Sequence, residues 1–314
     1  MESRSHRRPV WQPGKLSRFA RFLGDVLKRV TLSRMVLAVL VLPVLFYIYR
    51  EVTHDALIID PFTVPKRFEE AGLTSEVVAN RIGDALREIE ITTQTRMKKD
   101  NLSSLRDDGS MPDVEIPGTK LGLKTVVEIT RTVFGIYPKH VSGDIVVHAT
   151  IPANAEAQAT VTFYIAQGRS RSRAISLVVT ALDIELLAQR TAEMVLGQVN
   201  PYVLAAYRAD RGEFKEAVEI VQRIVENPSE DRIHISAAFI LWGSVLSQQE
   251  QYNEAIAKLQ KAIELNSKDA IAYHNWGNVL SQQKKYDEAV AKLRKAIELD
   301  PKDVMAYVGW SRHP

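Results

Sequence analysis

Cysteine is absent from the 314 residues of this chain. Disulfide staples, a thiol nucleophile and thiolate zinc sites are therefore excluded. The catalytic patterns G-x-S-x-G and H-E-x-x-H and the dinucleotide pattern G-x-G-x-x-G are also missing. One segment, Gly118-Thr-Lys-Leu-Gly122-Leu-Lys124-Thr125, approaches a phosphate-binding loop. That chemistry needs Gly-Lys-Ser/Thr in succession, so that ammonium and hydroxyl reach the same phosphates and metal. Leu123 breaks the succession. His140 and His148 stand eight residues apart with no carboxylate pattern around them, and read as surface or strand residues. The sequence thus offers no catalytic residues, no cofactor site and no metal site.

The chain is also short of a full-length apolar span. Met35–Tyr49 is charge-free over fifteen residues. At about 1.5 Å per residue it falls short of a hydrocarbon core of roughly 30 Å. Leu32 and Ser33 lengthen it if Arg34 reaches back to the interface. Pro43 is tolerable in a membrane helix, and Tyr47 and Tyr49 suit an interfacial belt. A cleaved signal peptide fits poorly, because the leader is long and no small-x-small site follows. A buried core helix is the other reading; a single-pass anchor is the preferred one.

Charge is present but unevenly placed. Residues 1–50 carry ten Lys/Arg against Glu2 and Asp25, a net of +8, whereas the whole chain is only +3. The remainder is therefore mildly acidic, which argues against a general nucleic-acid binder. Nine of those cations precede the anchor. The positive-inside rule then puts residues 1–34 in the cytoplasm, as a basic tail, and the body outside. Phe19, Phe22, Leu23, Val26, Leu27 and Val30 form an apolar stripe in that tail. It reads either as a stripe on the inner leaflet or as part of a solvated tail.

In residues 60–197, Pro61 and Pro65 read as a linker. Thr74 caps a helix with Val78, Ile82, Ala85, Leu86 and Ile89 at helical spacing. Residues 98–119 read as a loop, and Val126–Phe134 as a helix ending near Gly135, with a strand as the alternative. Strands are expected over Val141–Ala149, Ala159–Gln167 and Arg173–Thr180. Thr180 and Asp183 suggest a capping box before a helix ending near Gly197. These add up to a small α+β domain with antiparallel strands. Arg169, Arg171 and Arg173 would mark a basic hairpin tip, either solvated or turned to an anionic polymer or lipid.

Beyond residue 197 the sequence repeats. Ser236–Asp269 aligns with Ala270–Asp303 at a period of 34, with 21 positions identical. Each unit predicts two amphipathic helices, the first over about 270–283 and the second over about 287–299 with Asp287 as cap. Trp276-Gly277, Leu280, Ala289, Leu293, Ala296 and Pro301 resemble the tetratricopeptide repeat pattern, as do Trp242-Gly243, Leu246, Ala255, Leu259 and Ala262. Small residues at Gly277 and Ala289 would let the two helices approach, with Trp276, Leu280 and Leu293 filling the gap. A degenerate unit starts at Asn200-Pro201 and turns at Asp210-Arg211-Gly212. Arg232–Ile235 separate it from the next, and Val304, Tyr307 and Trp310 begin another. The resemblance covers residues 198–312.

The resemblance implies an all-α solenoid over 198–314 whose first helices line a groove for a protein or peptide. Its groove positions are Tyr202, Ala206 and Asp210; Ala237, Ile240, Ser244, Ser247 and Gln248; and Ile271, His274, Asn278, Ser281 and Gln282. Of the residues that clamp a terminal carboxylate in part of that family, only Asn278 is matched; Ile271, His274 and Ala237 stand where cations are needed. The whole is expected to be a membrane-anchored adaptor, without catalysis, on the periplasmic side of a bacterial inner membrane. The alternative is an enzyme or ligand sensor with its site in 60–197 and the repeats as a docking module. A third arrangement, repeats in the cytosol behind an N-terminal anchor, is disfavoured by the basic leader.

Overall fold

The structure is a computed structural model. It describes residues 57–69, 72–94, 122–148, 158–179, 183–227 and 230–302, together with five residues between 42 and 49. The basic tail, the expected loop over 98–119, Thr180 and Val304–Trp310 lie outside the described residues. So does most of Met35–Tyr49; Leu42, Leu45, Phe46, Ile48 and Tyr49 are described and helical. Among the described residues no helix is long and apolar enough to cross a membrane. The chain divides into two compact units, Met1–His54 with Met111–Tyr137, and Asp55–Ser110 with Pro138–Pro314.

In the second unit, strands β1 (Leu57–Ile59), β2 (Lys139–His148), β3 (Gln158–Gln167), β4 (Ser170–Arg171) and β5 (Ile175–Val179) form one sheet. β2, β3 and β5 make the expected antiparallel meander. Period-two alternation sets its faces: Val141, Ile145, Val161 and Phe163 are buried, while Val146 and Val178 are exposed. The sheet is mixed rather than purely antiparallel, because β1 runs parallel to β2 with Ile58 opposite His140. Nor is Pro61–Pro65 a linker. The Thr63 N–H donates to the Gly143 carbonyl and the Ile145 N–H donates to the Thr63 carbonyl, both at 2.9 Å. Phe62 between the prolines is fully buried. Prolines are tolerated there because an edge segment can spare a donor.

Helix α1 (Ser75–Gln94) begins where Thr74 Oγ1 accepts from the Val77 N–H at 3.3 Å. It buries Val78, Ile82, Leu86 and Ile89. Helix α2 (Leu123–Phe134), in the other unit, ends at Gly135 with φ +69°. The strand alternative there is thereby set aside. Helix α3 (Ile184–Val199) starts one residue after Asp183, whose carboxylate accepts from the N–H groups of Glu185 and Leu186. Asp183 is itself the cap, so it cannot be the distal member of a box begun at Thr180. The helix continues past Gly197 to Val199.

Three helix pairs follow: α4 (Pro201–Asp210) with α5 (Phe214–Glu226), α6 (Arg232–Gln248) with α7 (Tyr252–Leu265), and α8 (Ala270–Gln282) with α9 (Tyr286–Leu299). Asn200 Oδ1 accepts from the Val203 N–H and Pro201 occupies the first turn. Arg232–Ile235 are not a spacer; they lengthen α6 by one turn behind the cap Asp231. Four residues nearly complete a 3.6-residue turn, so the faces downstream keep their direction. Each pair turns through a left-handed residue: Gly212, Glu250 and Lys284, at φ +77°, +62° and +63°. This turn fixes the start of α9 at Tyr286, leaving Asp287 inside the first turn rather than at the cap. Its charge there favours the helix dipole.

One hydrophobic cluster runs from Phe62, Val161 and Phe163 through α1 and α3 to Val203, Tyr207, Ile220, Val221 and Ala238. It crosses residue 197, where the sequence places a boundary. A second cluster holds Phe239, Leu246, Leu259, Ala262, Ala272 and Val279. Within the pairs the tightest approach is at glycine. A Cβ on Gly277 would lie 2.7 Å from Leu293 Cγ and 3.2 Å from the Ala289 carbonyl oxygen; Gly243 faces Leu259 and Ala255 in the same way. Gly277→Ala gains about 1 kcal/mol in helix propensity but overpacks this contact by roughly 1–3 kcal/mol. The expected outcome is a net loss of about 1 kcal/mol in chemical denaturation of the full chain.

Candidate partner-binding groove

The first helices α4, α6 and α8 pack on one another across the repeats, whereas the second helices pack mainly on first helices. The first helices therefore form one continuous layer, the layer that a solenoid presents to a partner. Hydrogen bonds tie that layer together. Asn275 Nδ2 donates to Ser244 Oγ at 3.0 Å, and Ser247 Oγ donates to Gln282 Oε1 at 2.7 Å. Gln283 Nε2 donates to Asn253 Oδ1 at 2.9 Å, reaching the start of α7.

The expected groove residues fall into three groups. Ser244, Ser247 and Gln282 are spent on the inter-repeat bonds, and Ser244 also donates to the Ile240 carbonyl. Ser281 donates to the Gly277 carbonyl one turn back, and His274 is half-buried. Tyr202 packs against the main core, and its hydroxyl is held well above the usual phenol range by burial and then by the charge of Asp269. Gln248, exposed, and Asn278, half-buried, make no side-chain hydrogen bond among the described residues. These two amides are left without a side-chain partner among the described residues. Asn275 and Gln283 were not among the expected residues. A signal for Asn275 exists in the repeat alignment, since an apolar Leu241 occupies its place one unit earlier.

The indoles were expected to fill the space between helices. Instead Trp242 and Trp276 lie half-buried at its rim, with Lys258 Nζ 3.4 Å and Lys292 Nζ 3.6 Å from the ring centroids. The gap beside Gly243 and Gly277 is already filled by leucine, so the ring faces remain open to a cation. Burial lowers the Lys258 ammonium from its usual value, opposed by Glu254.

A charged network that the sequence does not announce links α3 to the first pair. Glu193, with its side chain only 6% exposed, accepts from Arg208 Nη2 at 2.6 Å and lies 3.4 Å from Arg190. Arg208 also bonds Glu213, and Arg211 reaches Glu213 at 3.1 Å. Gln189 and Arg211 both donate to the Tyr207 hydroxyl. The hydrogen bond from Arg208 holds the Glu213 carboxyl below its ordinary 4.5, against the opposing effect of burial.

In the sheet domain, His140 Nδ1 lies 3.1 Å from Asp60 Oδ1, a carboxylate that the spacing of the histidines does not suggest. The side chain of His148 lies outside the described residues. Arg171 lies over the Tyr164 ring at 3.9 Å, so the hairpin tip is braced by a cation–π contact. A cavity of about 20 Å³ lies between Val64, Leu73, Val78, Ile145, Ala159, Ile184 and Leu187. It is apolar and holds one water at most, far below the ~300 Å³ of a ligand pocket. Among the described residues no group of three His, Asp or Glu side chains could hold a metal.

Arg208→Ala leaves Glu193 and Glu213 without their shared cation. A fully buried pair so broken costs about 3–5 kcal/mol. Arg190 and Gln189 remain beside Glu193, so roughly 2–3 kcal/mol is expected in urea denaturation at neutral pH. Because the Glu213 carboxyl is depressed in the fold, its contribution is full above its ordinary value and is lost as pH falls through the folded one. The gap between the two proteins should therefore narrow in acid.

The comparisons agree with this geometry over the C-terminal part. Residues 243–284 match a family model described as TPR repeat, and residues 270–303 match one described as tetratricopeptide repeat. No curated protein matches the chain. Among solved structures it is similar to MamA, at 23% identity over 41% of this chain and 77% of that one, with a TM-score of 0.34. It is similar to the TPR domain of Arabidopsis OM64, at 18% over 38% and 95%, TM-score 0.33. It is also similar to the second TPR domain of human RPAP3, solved with an HSP70 peptide, at 16% over 38% and 95%, TM-score 0.33. The matched models, the 34-residue period and the paired helices together make the C-terminal segment a tetratricopeptide repeat array.

Proposed function

We propose that this protein is a membrane-anchored adaptor that holds a protein or peptide on the first-helix layer of its repeats and performs no catalysis itself. The carrying observation is that Gln248 and Asn278 stand on that layer without side-chain hydrogen bonds among the described residues, while neighbours are tied between repeats. The partner it suits is an extended segment whose backbone amides meet neutral amide side chains, since the layer offers no cationic clamp at Ala237, Ile271 or His274. Met35–Tyr49 serves as the anchor in this reading. Leu42, Leu45, Phe46 and Tyr49 are 54–67% exposed, as lipid-facing side chains would be. The net +8 of residues 1–50 favours a cytoplasmic N-terminus and a body on the far side, as in a bacterial inner membrane.

Photo-crosslinking residues placed at 248 and 278 should trap the same partner, and residues placed at Lys261 and Lys295 on second helices should not. Equal labelling at both sets would sink the groove reading. Gln248→Ala and Asn278→Ala should each weaken binding of that partner by about 1 kcal/mol, near fivefold in Kd. Protease added outside spheroplasts should digest a C-terminal tag. A tag that survives until lysis places the body in the cytoplasm and overturns the topology.

A further inference from the structure

Three arginines at the tip of the β3–β4 hairpin face water without an acid. Arg169, Arg171 and Arg173 are all exposed, and none makes an ion pair among the described residues. Elsewhere in this unit guanidinium groups meet carboxylates, as Arg81 meets Glu185 and Arg208 meets Glu193, both at 2.6 Å. The tip is held in shape before any ligand arrives. Gly168 turns the chain at φ +59°. The Ile165 N–H donates to Ser172 Oγ at 2.9 Å, and the Ser172 N–H donates to the Ile165 carbonyl at 2.7 Å. Phe163 pairs with Ile175 and Ala166 with Arg171, so the returning limb carries one residue more than its partner. That bulge keeps Arg173 out of the ladder. Arg171 is fixed over the Tyr164 ring. Planar guanidinium forks in fixed positions suit phosphate oxygens.

Two observations indicate whose phosphates these are. Leu57, Lys139, Gln167 and Ser170 stand in one row across the sheet by their pairing register. The tip therefore shares an end of the sheet with the point where the chain enters it. Neighbouring strands lie about 4.8 Å apart, which puts Ser170 roughly 15 Å along that row from Leu57. Eight residues lead from Tyr49 to Leu57, a reach of at most about 28 Å. A bilayer surface at Tyr49 is thus within reach of the tip. The second observation is charge. The chain beyond residue 50 is acidic as a whole, so an anionic surface repels the body and attracts this one basic tip. We infer that Arg169, Arg171 and Arg173 dock on anionic phospholipid headgroups and set that end of the sheet against the membrane. This rests on the reading of Met35–Tyr49 as an anchor.

The absence of cysteine makes the test direct. Leu42→Cys, Ser170→Cys and Lys261→Cys each accept one dye in the full chain, reconstituted into phosphatidylcholine vesicles with or without phosphatidylglycerol. Nitroxide lipids labelled in the acyl chain or at the headgroup serve as quenchers. Position 42 should be quenched from the acyl chain in both vesicles. Position 170 should be quenched from the headgroup only with phosphatidylglycerol, and position 261 in neither. Arg169→Gln, Arg171→Gln and Arg173→Gln should each lower the docked-to-free ratio at 170 about fivefold, while Lys215→Gln and Lys268→Gln leave it unchanged. Quenching at 42 without quenching at 170 overturns the docking and leaves the anchor standing. Quenching at 170 that needs no phosphatidylglycerol, or that survives loss of all three arginines, also overturns it. Quenching at 170 alone upholds the docking and removes the anchor, and quenching at neither position removes both. A response of the dye at 170 to inorganic phosphate or heparin in solution, with none to vesicles, assigns the tip to a soluble anion and overturns the lipid reading.

Discussion

A helix buried on two sides must be matched by two partners, and α3 is such a helix. Leu187, Ala188, Ala192, Val195 and Leu196 are all buried along it. One side closes the sheet and α1, and the other receives α4. The sheet and the first helix pair both close their apolar faces against this helix, together with α1, which also meets β1 and α4. The main hydrophobic cluster is continuous through it for that reason. The network of Glu193, Arg208 and Glu213 adds direction to what apolar burial leaves non-directional. Glu193 can sit in the interior only where a guanidinium reaches it, which fixes α4 against α3 in one orientation.

The repeats follow a stricter rule, set by backbone approach. Gly243 and Gly277 leave no room for a Cβ, and Leu259 and Leu293 occupy the space it would take. With the helices so close, the tryptophans beside the glycines are displaced to the rim, where lysines sixteen residues on cover their faces. Between α6 and α8 the first-helix layer spends Ser244, Ser247, Asn275 and Gln282 on holding successive units in register. What such an array offers a partner is therefore set by the few side chains that those bonds leave over. An apparently generic polar face becomes a sparse one, with amides at Gln248 and Asn278.

Much was legible in the sequence where the physics is local or periodic. The 34-residue period, the paired helices, the small residues at Gly277 and Ala289, the cap at Asn200 and the meander of β2, β3 and β5 each leave a pattern within a few residues or repeat it. Other features left none. The parallel strand β1 is three residues long and pairs with a segment about eighty residues away, between prolines that locally signal a linker. Candidate groove residues were named by position in the repeat, but position alone could not separate Ser244 and Ser247, which bond across units, from Asn278, which does not.

The sequence by itself determined the repeat fold of the C-terminal part, because a helix pair that packs on copies of itself needs the same small and large residues at the same interval. It also determined the uneven charge of the two ends, which needs only counting. The tertiary structure alone decided that the sheet and the repeats share one core through α3, that Glu193 is neutralised by Arg208, and that Tyr202 is packed away. Each of these depends on which distant surfaces meet. A side chain's exposure and partners are properties of the assembled fold, and no local interval in the chain encodes them.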